Sequence, residues 1–155
     1  MSDDIKVSRT LNIYVGARLP VFFKPGVRYI DLEPRLSLLC RLTQTSSIKL
    51  AYSRMHQYIH LVQSYNASFP VEIWIGSSKI VKPQASHQVS ADLYKNFKDN
   101  MYQTSVEFYY KLMDNQMLFK GATSATIDND IESKLIFGKG RSYGTEFSVK
   151  KQKET

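Results

Sequence analysis

The 155-residue chain has room for about one ordinary domain, which excludes a large multidomain enzyme and leaves a single module or a segment of something larger. Twenty-one Lys and Arg against fourteen Asp and Glu give a formal charge of +7, yet 43% hydrophobic and 12% aromatic residues are too many core formers for a disordered basic tail. The single cysteine, Cys40, can form no internal disulfide and cannot alone build a thiolate metal site, which removes zinc fingers and disulfide scaffolds.

From the N-terminus, Met1-Ser2-Asp3-Asp4-Ile5-Lys6 offers neither a basic n-region nor an apolar h-region, and nothing downstream approaches the roughly 18 apolar residues of a spanning helix. What dominates instead is period two, in six segments. Residues 7–23 place Leu11, Ile13, Val15, Ala17 and Leu19 opposite Asn12, Tyr14, Gly16 and Arg18, the pattern of a strand. Residues 29–42 set Leu36, Leu38, Cys40 and Leu42 against Arg35, Ser37 and Arg41, with Pro34 near the outer end where a missing donor costs least. From 47 to about 62, Ile48, Leu50 and Tyr52 oppose Lys49, Ala51 and Ser53 before the alternation blurs between Arg54 and His60. Residues 84–98 oppose Val89, Ala91, Leu93 and Phe97 to Gln88, Ser90, Asp92, Tyr94 and Asn96. The clearest segment is 101–113, with Tyr102, Thr104, Val106, Phe108, Tyr110 and Leu112 on one side and Gln103, Ser105, Glu107, Tyr109 and Lys111 on the other. The last, 139–151, sets Tyr143, Thr145, Phe147 and Val149 against Gly144, Glu146, Ser148 and Lys150.

The connections alternate in length. Tight turns are expected at Thr43-Gln44-Thr45-Ser46 and Asp99-Asn100, a moderate link at 24–28, and long loops at 63–83 and 114–138. If successive strands are antiparallel neighbours, the tight turns share one end of the sheet and the longer loops the other, as in an outer-membrane barrel. Strands of roughly 12–16 residues exceed the usual 5–6 and the 9–11 of an oblique membrane crossing. Tyr94, Tyr102, Tyr109 and Tyr110 lie near strand ends or flank an apolar band, as girdle aromatics do. No repeat or linker divides residues 1–155, so the expectation is one all-β, antiparallel up-and-down meander of about six long strands, open at both edges, with one apolar face.

Chemical motifs are sparse. His56 and His60 have the i,i+4 spacing that would aim two imidazoles at one metal on a helix, but in a strand they stand roughly 13 Å apart. His87 reads as a surface or interface residue. Gly138-Lys139-Gly140-Arg141 lacks phosphate-loop spacing and a following helix, and reads as a solvated turn entering the last strand. Asp128, Asp130 and Glu132 alternate without the glycine and bidentate Glu of a calcium loop, and read as an acidic loop. No nucleophile elbow occurs, so no catalytic, cofactor or metal residues are assigned and the chain is not read as an enzyme. The charge supports a rival, a soluble basic β-rich module binding single-stranded nucleic acid or another anionic partner; against it, Lys and Arg are dispersed and no RRM signature is present.

Several stretches together carry a family resemblance. Leu32-Glu33-Pro34-Arg35-Leu36-Ser37-Leu38, a turn, and Ser47-Ile48-Lys49-Leu50-Ala51-Tyr52-Ser53-Arg54 resemble a pair of barrel strands in TonB-dependent outer-membrane receptors. The similarity continues through Ile73-Trp74-Ile75, Lys82-Pro83-Gln84, Thr104-Ser105-Val106-Glu107-Phe108-Tyr109-Tyr110-Lys111 and Leu135-Ile136-Phe137-Gly138-Lys139-Gly140-Arg141-Ser142-Tyr143-Gly144-Thr145-Glu146-Phe147, from about residue 8 to 151. The resemblance implies a segment of a barrel of about 22 strands enclosing a plug. It further implies outer-membrane localisation, contact with lipid and with the rest of the barrel and plug, and TonB engaged through an N-terminal region not expected here. The implied role is a structural wall with external loops in import of a scarce nutrient, without nucleic acid. Plug, signal peptide and terminal aromatic strand are expected to be missing from these residues, and ligand-binding positions are not assigned.

Overall fold

Extended segments leave every main-chain N–H and C=O to be paired sideways, and here one antiparallel ladder pairs most of them. The computed structural model describes residues 2–65, 70–98, 100–120 and 131–151. In chain order the strands are β1 (Ser2–Lys6), β2 (Leu11–Arg18), β3 (Val21–Lys24), β4 (Val27–Ile30), β5 (Glu33–Arg41), β6 (Ser46–Gln57), β7 (Ile59–Tyr65), β8 (Pro70–Gly76), β9 (Gln84–Phe97), β10 (Tyr102–Phe119) and β11 (Leu135–Lys151), with a 3-10 turn at Ile131–Lys134. Seven of them form one sheet in the order β1-β2-β5-β6-β9-β10-β11, an up-and-down meander with β1 and β11 as open edges. Two hairpins, β3–β4 and β7–β8, are inserted as separate two-stranded sheets.

The all-β meander agrees with the sequence, with seven strands instead of about six. The additional strand is β1, paired with β2 from Ser2↔Gly16 to Lys6↔Asn12. The strands expected at 7–23 and 47–62 are each broken, at Leu19-Pro20 and at Tyr58, so that their last residues join the β3–β4 and β7–β8 hairpins around the links expected at 24–28 and 63–83, and β10 and β11 run further than expected, to Phe119 and from Leu135. Gly138-Lys139-Gly140-Arg141 is accordingly not a turn. It lies inside β11, with Gly138 opposite Gln116 and Gly140 opposite Met113, because β10 continues past a bulge that supplies it with a partner.

Turn chemistry explains the two ends. The short links 7–10, 42–45 and 98–101 share one end of the sheet; 19–32, 58–83 and 120–134 share the other. Ser8 Oγ accepts the N–H groups of Thr10 and Leu11, Thr43 Oγ1 accepts that of Thr45, and Lys98 and Asn100 take left-handed φ values of 49° and 70°. In the β3–β4 hairpin, Gly26 follows Pro25 at φ 80°, the sign a type II turn demands at its second central position.

Register converts alternation into two continuous faces. Ile5, Ile13, Leu38, Leu50, Ala91 and Phe108 form one cross-strand row, and Val15, Leu36, Tyr52, Val89, Tyr110 and Tyr143 the next. The opposite face carries rows such as Lys49, Asp92, Glu107 and Glu146. Tyr102 and Tyr110 share the apolar face, whereas Tyr94 and Tyr109 lie on the polar one by parity, so they do not belong to an aromatic girdle. Among the described residues no second layer covers the apolar rows: Val89 is 53%, Phe108 48% and Phe147 71% exposed. Among the described residues the buried hydrophobics are Val62, Val81 and Leu135, joined by Ile75, Met117 and Phe119, a small cluster where β7–β8 meets the far ends of β10 and β11.

On the polar face the Tyr109 ring lies over Gly144, its cross-strand partner; a Cβ there would meet Tyr109 Oη at 2.8 Å and Cε1 and Cζ at 2.9 Å. The ring covers backbone that a glycine leaves bare. Gly144→Ala is expected to displace the ring and cost about 1 kcal/mol, the scale of an off-rotamer side chain, and to be neutral in a Tyr109→Ala background. A double-mutant cycle in equilibrium unfolding measures this coupling.

Candidate functional site

The polar face deepens at the end that carries the long connections. There a cleft of about 380 Å³ is lined by Arg18 from β2, Glu33 from β5, Gln57 from β6, Gln84 and Ser86 from β9, and Lys111 from β10. Register gathers these side chains from five strands: Arg18 pairs with Glu33, Gln57 with Gln84, and Met55 and Met113 with Ser86 from either side.

Glu33 is the fixed point of the cleft. It is 2% exposed, and its Oε1 accepts the His56 N–H at 2.7 Å. Arg18 Nε stands 3.9 Å from Oε2, and Oε2 accepts no hydrogen bond among the described residues. The His56 ring lies between two carboxylates, Nδ1 3.6 Å from Glu33 Oε1 and Nε2 3.6 Å from Asp31 Oδ1. Tyr58 donates its hydroxyl to Asp31 Oδ2 at 2.9 Å and stacks on Phe22, the ring centroids 5.4 Å apart. Burial, and then the bond to Asp31 and its charge, push the Tyr58 phenol above its ordinary value, so it remains a donor at physiological pH. The β3–β4 hairpin thereby buttresses the carboxylates from one side. A buried carboxylate with an unfilled acceptor, faced by amides and by Lys111, suits a polar ligand bearing hydroxyl, amide or ammonium donors.

A second polar group sits beneath the β7–β8 hairpin. The 1% exposed His60 hydrogen bonds through Nε2 with Ser77 Oγ at 3.1 Å. Ser78 Oγ donates to Glu132 Oε2 at 2.8 Å and accepts the N–H groups of Ile80 and Val81, while Tyr29 donates to the Ser78 carbonyl at 2.6 Å. These bonds tie segment 77–83 to both the first hairpin and the turn before β11.

The histidines singled out in the sequence therefore part company. His56 ends on β6 beside Asp31 and Glu33, and His60 on β7 beside Ser77; no group of three metal-ligating side chains occurs among the described residues. His87, half-buried, hydrogen bonds through Nδ1 with the Tyr52 hydroxyl at 2.9 Å. Glu132 lies in the 3-10 turn; Asp128 and Asp130 fall outside the described residues. Cys40 is a free, half-buried thiol in the apolar row with Leu11 and Ile48. Asp31 and Glu33, which no local motif marks, are the site residues additional to those expected from the sequence. The usable signal was the tight turn at 43–46: counting outward equally on both sides brings Glu33 opposite the Met55–His56 stretch.

No family model matches the chain, and no curated protein matches it.

Burial lowers the His60 pKa below the usual 6.5. Below about pH 6.5 the unfolded hairpin takes up a proton that the folded one refuses, so stability is complete above that value and falls as the pH drops toward the lowered folded value. Hydrogen exchange at the Val62 and Ile75 amides is expected to accelerate on acidification to pH 5, and His60→Gln to flatten that dependence.

Proposed function

We propose that the chain is part of the outer-membrane β-barrel of a TonB-dependent receptor that imports a scarce nutrient, serving as lipid-facing wall and external connections and not as a catalyst. The observation that carries the reading is the uncovered apolar face, continuous in register from β2 to β11 through Leu11, Cys40, Ile48, Leu93, Val106 and Phe147, reached on β1 by Ile5 alone, where Asp3 stands opposite Val15, and backed by a polar one. A face of Leu, Ile, Val, Phe and Tyr without a second layer calls for a non-aqueous neighbour, and a bilayer meets the whole of it at once.

The dimensions support this. Between the row holding Phe97, Tyr102 and Lys151 and the row holding Arg54, His87, Leu112 and Arg141, the strands advance roughly 34 Å, or about 26 Å along a membrane normal at a tilt near 40°. Outer-membrane barrels carry an apolar band of about 25 Å, bounded by polar and aromatic residues. The short turns at one end and the hairpin-bearing connections at the other follow the same plan, short turns periplasmic and long connections external. On this reading the cleft at Glu33 opens on the lumen near the external mouth, where an incoming ligand and the plug would meet it. The open edges of β1 and β11 then continue into the neighbouring strands of the barrel.

The rival, a soluble basic binding module, requires a water-excluding core beneath the sheet. The buried hydrophobic cluster around Val81 lies beyond the sheet's apolar rows, which favours the membrane reading.

Three measurements test the proposal. Phe108→Lys is expected to destabilise the folded state in membranes by about 2–4 kcal/mol and Tyr109→Lys by far less, since they occupy opposite faces; equal costs would contradict the assignment. In a Cys40→Ser background on intact cells, an impermeant thiol reagent should label Lys79→Cys and spare Gln44→Cys. Separately, the chain without further strands should require detergent, and a sharp monomeric peak in detergent-free size-exclusion chromatography would promote the soluble module.

A further inference from the structure

We propose that the short-turn end of the sheet is a binding site for an anionic phospholipid, its phosphate held by Lys95, Lys98 and Lys151 and its acyl chain by an adjoining apolar groove. This rests on the lipid-facing reading of the apolar face. Phe97 and Tyr102 are cross-strand partners, and Tyr102 is also paired with Lys151. Around these two rings stand three ammonium groups: Lys95 Nζ 5.3 Å from the Phe97 centroid, and Lys98 and Lys151 at 5.8 and 5.9 Å from that of Tyr102. A ring face attracts an ammonium but offers no oxygen acceptor to its N–H groups. The rings therefore gather three cations in one place and leave their hydrogen bonds for an anion.

Among the described residues, the surroundings do not supply that anion. Lys6, Arg9, Arg41 and Lys150 lie at the same end, and all seven cations are exposed and outside every ion pair among the described residues. The sequence puts one acidic residue in these short turns, Asp99, which lies outside the described residues. The other end is mixed, with Lys139 3.6 Å from Asp114 and Arg18 3.9 Å from Glu33. Seven like charges at one level, without an ion-pair partner among the described residues, repel one another unless a layer of anions lies against them. Phospholipid phosphates occupy such a layer at the edge of an apolar band.

The neighbouring groove distinguishes a lipid from free phosphate. About 360 Å³ in volume, it runs between Leu42, Leu93, Phe97 and Val106 with Lys95 and Thr104 beside it, and its lining is chiefly apolar. Leu93, Phe97 and Val106 belong to the apolar face, so a chain in the groove is continuous with the lipid that the face would meet, while its headgroup reaches the lysines.

The test uses the full chain in detergent, with fluorescent phosphatidylglycerol as probe and phosphatidylcholine and inorganic phosphate as competitors. Phosphatidylglycerol should bind in preference to phosphatidylcholine, and added salt should weaken it. Replacing Lys95, Lys98 and Lys151 together by Gln should weaken it on the order of a hundredfold, about fivefold for each lysine. The corresponding triple change of Lys24, Lys79 and Lys82 at the other end should leave it unchanged. Lys151→Gln alone, on the exposed edge strand, guards against a misfolded triple variant and should still cost about fivefold. Equal binding of both lipids, displacement by inorganic phosphate alone, or an equal loss in the control triple would overturn the proposal. Flotation with phosphatidylcholine vesicles separates the two readings: association without headgroup preference defeats this inference alone, and no association with neutral or phosphatidylglycerol-containing vesicles defeats the lipid-facing reading with it.

Discussion

The main-chain ladder is the interaction on which everything else in this chain depends. A two-layer domain can lean on its core when a few cross-strand hydrogen bonds are poor, but among the described residues the main sheet has no second layer, and the few buried apolar side chains sit beyond the apolar rows. What holds β5 to β6 or β9 to β10 is therefore register itself, twelve or more consecutive pairs in the longer cases. A slip of one residue would send Phe108 and Val89 to the polar face and Glu107 and Ser90 to the apolar one. The uniformity of the faces defends the ladder as much as the ladder creates the faces.

That reciprocity is why the sheet was legible in the sequence. Where one face must be apolar throughout, as from Tyr102 to Leu112, alternation is strict enough to give both the strand and its orientation. β1 was hidden because Ser2-Asp3-Asp4-Ile5-Lys6 puts a single large apolar side chain, Ile5, on that face; an edge strand held by pairing to β2 needs no more. The inserted hairpins were hidden for another reason. Phe22-Phe23 and Leu61-Val62 carry apolar residues on both faces: in β7–β8, His60 and Val62 are buried, while Leu61, paired with Trp74, is exposed. Of the cleft, the sequence disclosed residue types without their meeting. Glu33 and His56 are brought together by register across the β5–β6 turn, and no local motif encodes such a meeting.

The polar connections show how a sheet without a core can still hold firm structure at one end. His60, Ser77, Ser78, Tyr29 and Glu132 form bonds among segments far apart in the chain, around the apolar cluster at Val81. Buried polar groups that are nearly all satisfied fix one arrangement of neighbouring segments where hydrophobic contact alone would tolerate several. The cleft at Glu33 is next to this assembly and shares the β3–β4 hairpin with it, through Phe22 and Tyr29. Its shape is thus set by the connections as well as by the strands.

The bulge in β10 has a bearing on how such a chain can change over generations. Between Met113 and Gln116 two residues, Asp114 and Asn115, stand opposite one, with Asn115 at φ 56° and its side-chain amide donating to the Pro83 carbonyl. Beyond it the parity of β10 is inverted relative to the rows below, and this brings Met117 and Phe119 to the side where Leu135 joins the Val81 cluster. The extra residue works as a phase shifter, uncoupling the reading frame of the outer segment from that of the rows beneath. Insertions or deletions on the far side of Asn115 can then be absorbed without inverting the faces of the sheet, so the two regions can diverge at different rates, the outer one exploring new shapes while the sheet keeps its pattern.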